Sequence, residues 1–220
     1  MKPFLAVFDL DGTLTTETSA WQYVLERTDK WEPEGRNNLD KFLRGILPGS
    51  KDDQYRQFCG MDAALLQGVK YNGFLRILGE IKFRPNIRPL ITFLKTELAA
   101  SVIIVSSGFQ ELAEAAQELY GVDRVYANKL GSENGLLDGT FIINVPWHGK
   151  REVLKTIKNG LNIERSQILS FGDSSGDIEM FKESVLSFAC FTSNREVLEY
   201  ATHYLDDFSK AKEIIKESLC

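Results

Sequence analysis

The stretch Phe4-Leu5-Ala6-Val7-Phe8-Asp9-Leu10-Asp11-Gly12-Thr13-Leu14-Thr15 joins five apolar residues to a pair of acids two positions apart. A short unbroken apolar run reads as a strand buried on both faces, which places Asp9 and Asp11 at its carboxyl end. The two carboxylates converge on one centre if the backbone turns there, and Gly12 permits the turn. At roughly 4 Å and an effective dielectric near 20, two bare carboxylates repel by about 4 kcal/mol, so one is protonated or a cation sits nearby. A magnesium-dependent phosphoryl-transfer site meets both conditions. Asp9-Leu10-Asp11-Gly12 also suits a plain turn that caps the next helix. A calcium loop does not fit, because it wants glycine and glutamate where this chain has Leu14 and Ala20.

The chain's 220 residues can bury a full core, as one domain or one domain with an insertion. A net charge of −5 disfavours nucleic acid and anionic membranes as partners. Three cysteines, Cys59, Cys190 and Cys220, form no paired spacing and predict free thiols in a reducing, cytoplasmic setting. The apolar run after Met1-Lys2 is too short for a signal core or a membrane span. With His148 and His203 the only histidines, a histidine-rich zinc site is excluded.

Apolar residues between Ser19 and Lys82 recur at helical spacing: Trp21, Val24 and Leu25; Leu39, Phe42, Leu43 and Ile46; Phe74, Ile77, Leu78 and Ile81. Breaks are predicted at Pro33 to Gly35, Pro48-Gly49 and Asn72-Gly73. Beyond Pro85 the pattern predicts helix 90–98, strand 102–105, a helix closed by Gly121 and strand 125–127. A hairpin turning at Asn134-Gly135 follows, then helix 150–158 stopping at Gly160, strand 168–171, helix 178–182, strand 186–191 and a final amphipathic helix 208–219. Strands alternating with helices imply an α/β fold, a Rossmann-like parallel sheet with helices on both faces. Residues 16–83 are expected to form a small helical cap inserted after the first strand, leaving 1–15 and 84–220 as the core. Gly12 and the Lys82 to Pro85 crossing are the expected hinges.

Three further segments fall at strand ends, where open α/β sheets bind ligands. Ser106-Ser107-Gly108 offers a hydroxyl and backbone N–H groups at a helix start, a phosphate cradle or a simple serine cap. Lys150 opens a helix, against the macrodipole, so either an anion accompanies it or it is a solvated surface lysine. Gly172-Asp173-Ser174-Ser175-Gly176-Asp177 puts two carboxylates on a glycine-bearing loop, which suits magnesium or a capped turn.

In this order the four motifs, with Tyr126-Ala-Asn-Lys-Leu130 and Lys150-Arg-Glu-Val-Leu154, resemble the haloacid dehalogenase-like phosphatases, in particular the phosphoserine phosphatase branch. The resemblance spans nearly the whole chain. It implies Asp9 as a nucleophile that becomes an aspartyl phosphate, Asp11 as general acid and then base, and Ser106, Ser107 and Gly108 as phosphate ligands. Lys150 would balance charge, and Mg2+ would be held by Asp9, the Asp11 backbone carbonyl and Asp173, with Asp177 nearby. The implied substrate is a small phosphorylated metabolite, phosphoserine first, and the implied assembly a monomer or homodimer.

The chain departs from that branch at its substrate end. Asp62 stands where the branch carries an arginine for the substrate carboxylate, and an acid there would repel phosphoserine. Glu17 resembles the cap glutamate that holds the amino group, although the segment from Asp9 is one residue shorter. Gly176 replaces an asparagine. A mutase or phosphotransferase would use the same aspartyl phosphate, and phosphate release without an acceptor separates them. A silent scaffold is disfavoured by the presence of Asp9, Asp11, Lys150 and Asp173 together.

Overall fold

The computed structural model describes residues 3–219, so Cys220 lies outside the described residues. Strand β1 (Leu5–Phe8) runs between β2 (Ser101–Phe109) and β5 (Ile168–Gly172), parallel to both. With β3 (Arg124–Glu133), β4 (Leu136–Ile142), β6 (Leu186–Cys190) and β7 (His203–Leu205), the sheet order is β4-β3-β2-β1-β5-β6-β7. Among the strands of this sheet, within the described residues, only β3 and β4 pair antiparallel. The chain builds outward from β1 on one side and then returns to build the other, so the strand order switches direction at β1, where such sheets place ligands.

Alternation along β1 explains its unbroken apolar run. Leu5 and Val7 pack with Leu154 and Ile157 of α7 (Lys150–Leu161) and Met180 and Phe181 of α8 (Ile178–Lys182). Ala6 and Phe8 join the opposite layer, with Leu90 and Leu94 of α5 (Ile87–Glu97) and Leu112 and Ala116 of α6 (Gln110–Tyr120). Helices α9 (Arg195–Tyr200) and α10 (Ala211–Leu219) complete the two covers.

Between β1 and α5 the chain forms α1 (Ala20–Arg27), α2 (Arg36–Leu43), α3 (Lys51–Leu65) and α4 (Tyr71–Leu78). It leaves and returns through adjacent segments. Thr15 pairs with Phe83, the Thr16 N–H donates to the Lys82 carbonyl at 2.9 Å and the Arg84 N–H to the Leu14 carbonyl at 2.8 Å. The hairpin reaches back to this insertion: the Gly68 N–H donates to the Leu137 carbonyl and the Leu137 N–H to the Val69 carbonyl, both at 2.8 Å.

Several expected boundaries move. Asn72-Gly73 sits inside α4 and Gly160 inside α7, whose end is set by Asn162 in the left-handed region at φ 51°. Pro33 to Gly35 lead directly into α2, and the interruption falls one residue ahead of them, at Glu32, whose backbone is non-helical (φ −104°, ψ 129°). Leu43 and Ile46, expected on the packed face of α2, are exposed, and that helix instead turns Asn38 inward. Strand β2 continues through Ser106-Ser107-Gly108, and α6 starts only at Gln110. Asn134 and Gly135 do turn the hairpin, at φ 52° and 77°.

Directly behind Asp9, Phe8, Phe171 and Phe188 occupy one register across β1, β5 and β6. Their rings stack with centroids 4.2 and 4.7 Å apart and planes within 6°. This column clamps the strand that carries the first acids. Replacing its middle ring, Phe171→Ala, should cost about 3–5 kcal/mol, the range for deleting a buried phenyl. Urea denaturation measures it, and a loss below about 1 kcal/mol would contradict the column's structural weight.

Candidate active site

Asp9 extends the β1–β5 ladder by one bond, donating its N–H to the Phe171 carbonyl at 2.9 Å. The chain then turns at Gly12, at φ 76°, where a Cβ would collide with the Asp173 carboxylate. The turn is held from three sides. The Gly12 N–H donates to the Glu17 carbonyl at 2.6 Å, the Thr13 hydroxyl donates to Asp173 Oδ1 at 2.8 Å, and the Arg84 guanidinium donates to the Gly12 carbonyl at 2.9 and 3.2 Å. Arg84 also lies over the Phe191 ring at 3.9 Å.

Lys150 is buried, not a solvated surface lysine. Its Nζ lies 2.7 Å from Asp9 Oδ1 and 2.6 Å from Asp177 Oδ1. Burial works against the ammonium, but Asp177 and Asp9 outweigh it and raise its pKa. Asp177 Oδ2 accepts from the Asp173 N–H at 3.1 Å, the Ser174 N–H at 2.9 Å and the Ser174 hydroxyl at 3.0 Å. Both Asp177 oxygens are therefore engaged, and this residue fixes the 172–177 loop. Gly172 keeps that contact possible, because a Cβ there would overlap Asp177.

Carboxylate oxygens of Asp9, Asp173 and Asp177 lie within 4.8 Å of one another, close enough to share an ion. Three carboxylates against one ammonium leave an excess of two negative charges. Burial, then Asp177, push Asp173 up to about 7, and burial followed by Asp177 raises Asp9 as well. The donor set of hard oxygens with uncompensated charge fits a divalent cation. The Asp11 carboxylate stands outside that group of three. Its Oδ2 accepts the Ala20 N–H at the start of α1 at 3.2 Å, while Oδ1 is buried without a partner. Burial pushes Asp11 up to about 6 against the pull of the Ala20 N–H and Lys150.

Ser106 and Ser107 line the same cavity as Asp9 and Asp11, on a bulged end of β2 and not at a helix start. Ser106 Oγ accepts the Gly108 N–H at 2.9 Å, and a Cβ on Gly108 would fall 2.8 Å from Asp11 Oδ2. Asn128 holds this turn: its Nδ2 donates to the Ser107 and Val145 carbonyls at 2.9 Å each, and its Oδ1 accepts the Asn144 and Val145 N–H groups at 2.7 Å each. The Tyr55 hydroxyl of α3 donates to the same Ser107 carbonyl at 3.2 Å. Sequence reasoning assigned no role to Thr13, Arg84, Asn128 or Tyr55. Thr13 and Asn128 do fall inside motifs already singled out; Arg84 and Tyr55 carried no local signal.

Glu17 lines a cleft of about 80 Å³ with Tyr23 and Glu26, and this cleft shares Thr18, Ser19 and Gln22 with the walls of the Asp9 cavity. That cavity, of about 280 Å³, is walled in part by the insertion: Trp21, Trp31, Tyr55, Phe58 and Asp62 line it. Asp62 is 1% exposed, and its Oδ1 accepts from Asn38 Nδ2 at 2.8 Å. Burial pushes it up to about 6 despite that bond.

Because Asp62 titrates higher folded than unfolded, its ionisation costs nothing below about pH 4 and its full penalty applies above about pH 6. The isosteric Asp62→Asn should therefore stabilise the protein by about 3 kcal/mol at pH 8. The gain should shrink through pH 6 and vanish near pH 4. Thermal melts of both proteins across that range check it, and a gain that persists at pH 4 would contradict the electrostatic cause.

A family model described as haloacid dehalogenase-like hydrolase matches residues 6–182. A phosphoserine phosphatase of Campylobacter jejuni subsp. doylei is 26% identical over 213 residues, covering 96% of this chain and 98% of the relative. One from Streptomyces coelicolor is 32% identical over 84% of this chain, which spans 43% of that longer protein. Among solved structures, a phospho-aspartyl intermediate analogue of phosphoserine phosphatase superposes with a TM-score of 0.80 at 24% identity, over 99% of both chains. With a family model matched across most of its length, from the strand that carries Asp9 to the helix that follows Asp177, this chain belongs to the haloacid dehalogenase-like hydrolases.

Proposed function

We propose that the protein is a metal-dependent phosphomonoesterase of small metabolites that works through an aspartyl phosphate on Asp9. The observation that carries this reading is the cluster of Asp9, Asp173 and Asp177 around a single lysine at the sheet's switch point, with Asp9 on the wall of the cavity that the insertion covers. Mg2+ is the ion we assign, held by the Asp9 and Asp173 carboxylates and the Asp11 backbone carbonyl, with Asp177 fixing the loop behind them. When bound, it would neutralise the charge of the carboxylates and the phosphoryl oxygens. We divide the chain into a core of 1–15 and 84–220 and a cap of 16–83. Cys59 and Cys190, both buried and unpaired, support a reducing cytoplasmic setting.

The reaction then follows from the residues. An Asp9 oxygen attacks phosphorus, the ester P–O bond breaks, and Asp11 gives its proton to the departing alkoxide. Asp11 next takes a proton from water, which attacks the same phosphorus and frees phosphate, restoring Asp9. A carboxyl near 6 suits both directions of transfer close to neutrality. Lys150 holds Asp9 in place through Oδ1, and Ser106 with the Ser107 backbone meets the phosphoryl oxygens. Phosphoserine, the substrate in the relatives' names, is the reference compound for this activity. Trp21 on the cap packs against Phe109 on the core at 4.5 Å and forms part of the cavity wall.

Purified protein in MgCl2 should release inorganic phosphate from small phosphomonoesters without an added acceptor, and EDTA should stop it. Asp9→Asn should abolish turnover while retaining the wild-type circular dichroism spectrum. Asp11→Asn should lower kcat by about 10²- to 10⁴-fold, the span of general acid–base catalysis. Metal-independent turnover, or full activity in Asp9→Asn, would overturn the reading.

A further inference from the structure

We propose that Asp62 and the aromatic rings around it bind an ammonium group on the substrate, so that the enzyme prefers aminoalkyl phosphomonoesters carrying no carboxylate. This inference rests on the phosphomonoesterase reading above and names its substrate class.

Asp62 shares the cavity with Asp9 and Ser106, yet among the described residues no lysine or arginine pairs with it, and none lines the cavity. Its one side-chain donor is the neutral amide of Asn38. A buried carboxylate left with a single neutral partner is expensive to keep. A structural link between α2 and α3 would need only an amide, since a second neutral side chain could accept the same bond. The charge therefore asks for a cation, and the cavity is where one can enter.

The remaining walls agree. Trp21, Trp31, Tyr55, Phe58 and Trp147 line the cavity, and aromatic faces attract ammonium groups, most strongly when water is excluded. A substrate carboxylate would meet only neutral groups, such as the Thr18 and Ser19 hydroxyls and the Gln22 amide, beside the Asp62 charge. Lys150 is not available to it, being taken by Asp9 and Asp177. A volume of about 280 Å³ holds a phosphate and a short amine-bearing chain.

The test compares kcat/KM of the wild-type protein in MgCl2 for 2-aminoethyl phosphate, its trimethylammonium homologue, n-propyl phosphate and O-phospho-L-serine. At least one ammonium ester should exceed both propyl phosphate and phosphoserine by about tenfold or more. In Asp62→Asn the ratio of ammonium ester to propyl phosphate should fall by about tenfold, and the ratio of phosphoserine to ammonium ester should rise. Ratios unchanged by the substitution, or phosphoserine equal to the best ammonium ester in the wild type, would overturn the inference. Calorimetry of the wild type with 3-aminopropylphosphonate and butylphosphonate needs neither turnover nor a variant, and the amine should bind about tenfold tighter. Amine-selective binding with no phosphate released from any ester would refute the hydrolase reading alone. Phosphate release with no amine preference would refute this inference alone.

Discussion

One buried ammonium must answer three clustered carboxylates, two of them buried and one half-buried, and much of the local structure follows from that. Lys150 opens α7, where the helix dipole opposes a cation; Asp9 from β1 and Asp177 from the 172–177 loop reverse the balance. Their demand brings three separate parts of the chain to one point. Asp177 in turn uses its second oxygen to gather the backbone of Asp173 and Ser174, which aims Asp173 at Thr13 beside the Gly12 turn. The glycines at 12 and 172 are set by the same crowding, since a Cβ at either would enter a carboxylate. What remains after these contacts is an uncompensated pair of negative charges held by a rigid frame. Such a frame is preorganised for a divalent ion and a phosphoryl group, because little of it has to move when charge arrives.

The frame is completed only by the inserted helices. The N–H of Ala20, the first residue of α1, is the donor to the Asp11 carboxylate, and Tyr55 of α3 holds the Ser107 carbonyl. Trp21 stands between Phe109 of β2 and Phe141 of the hairpin, at 4.5 and 4.9 Å. The same insertion thus orients the proposed acid and walls the cavity. Its two connections run side by side, and Arg84 on the returning one grips the Gly12 carbonyl, so a displacement of the insertion would be felt at the turn that follows Asp9. This couples closure to the chemistry without any contact between the distal helices and the acids.

How much of this was legible follows from the range of each interaction. The apolar run before Asp9, the Asn134-Gly135 turn and the order of the motifs are local signals, and they lead to the sheet, the hairpin and the acidic group. Helix α3 was missed because its buried stripe, Tyr55, Phe58, Cys59, Asp62 and Ala63, mixes polar with apolar residues and includes no leucine. Its Ser50–Asp53 capping box was the local clue. Glycine misled at Gly73 and Gly160, where tertiary packing outweighs a helix penalty of about 1 kcal/mol. Arg84 and Tyr55 act across 72 and 52 residues of sequence, and nothing in their own neighbourhoods announces it. Glu17 was placed by analogy of position, and the carbonyl that it supplies to the Gly12 turn is a backbone contact that no side-chain pattern announces.

Charge accounting links the acidic frame to Asp62. A phosphate monoester near neutrality carries roughly two negative charges, and it enters a cavity whose walls already include Asp9, Asp11 and Asp62 with no lysine or arginine among them. A compensating cation at the phosphoryl end does nothing for the other end of the substrate, since a buried wall of apolar rings separates charges from water but supplies none of its own. Whatever group sits beside Asp62 must therefore be neutral or positive for the complex to form without an unpaired buried charge. A carboxylate there would add a second anion to a carboxylate that has one neutral donor, whereas an ammonium satisfies Asp62 and lowers the net charge brought in. On the proposed reading, an acid at the position where the resemblance implies an arginine sets the sign of the substrate's far end, while the phosphoryl machinery lies on other elements.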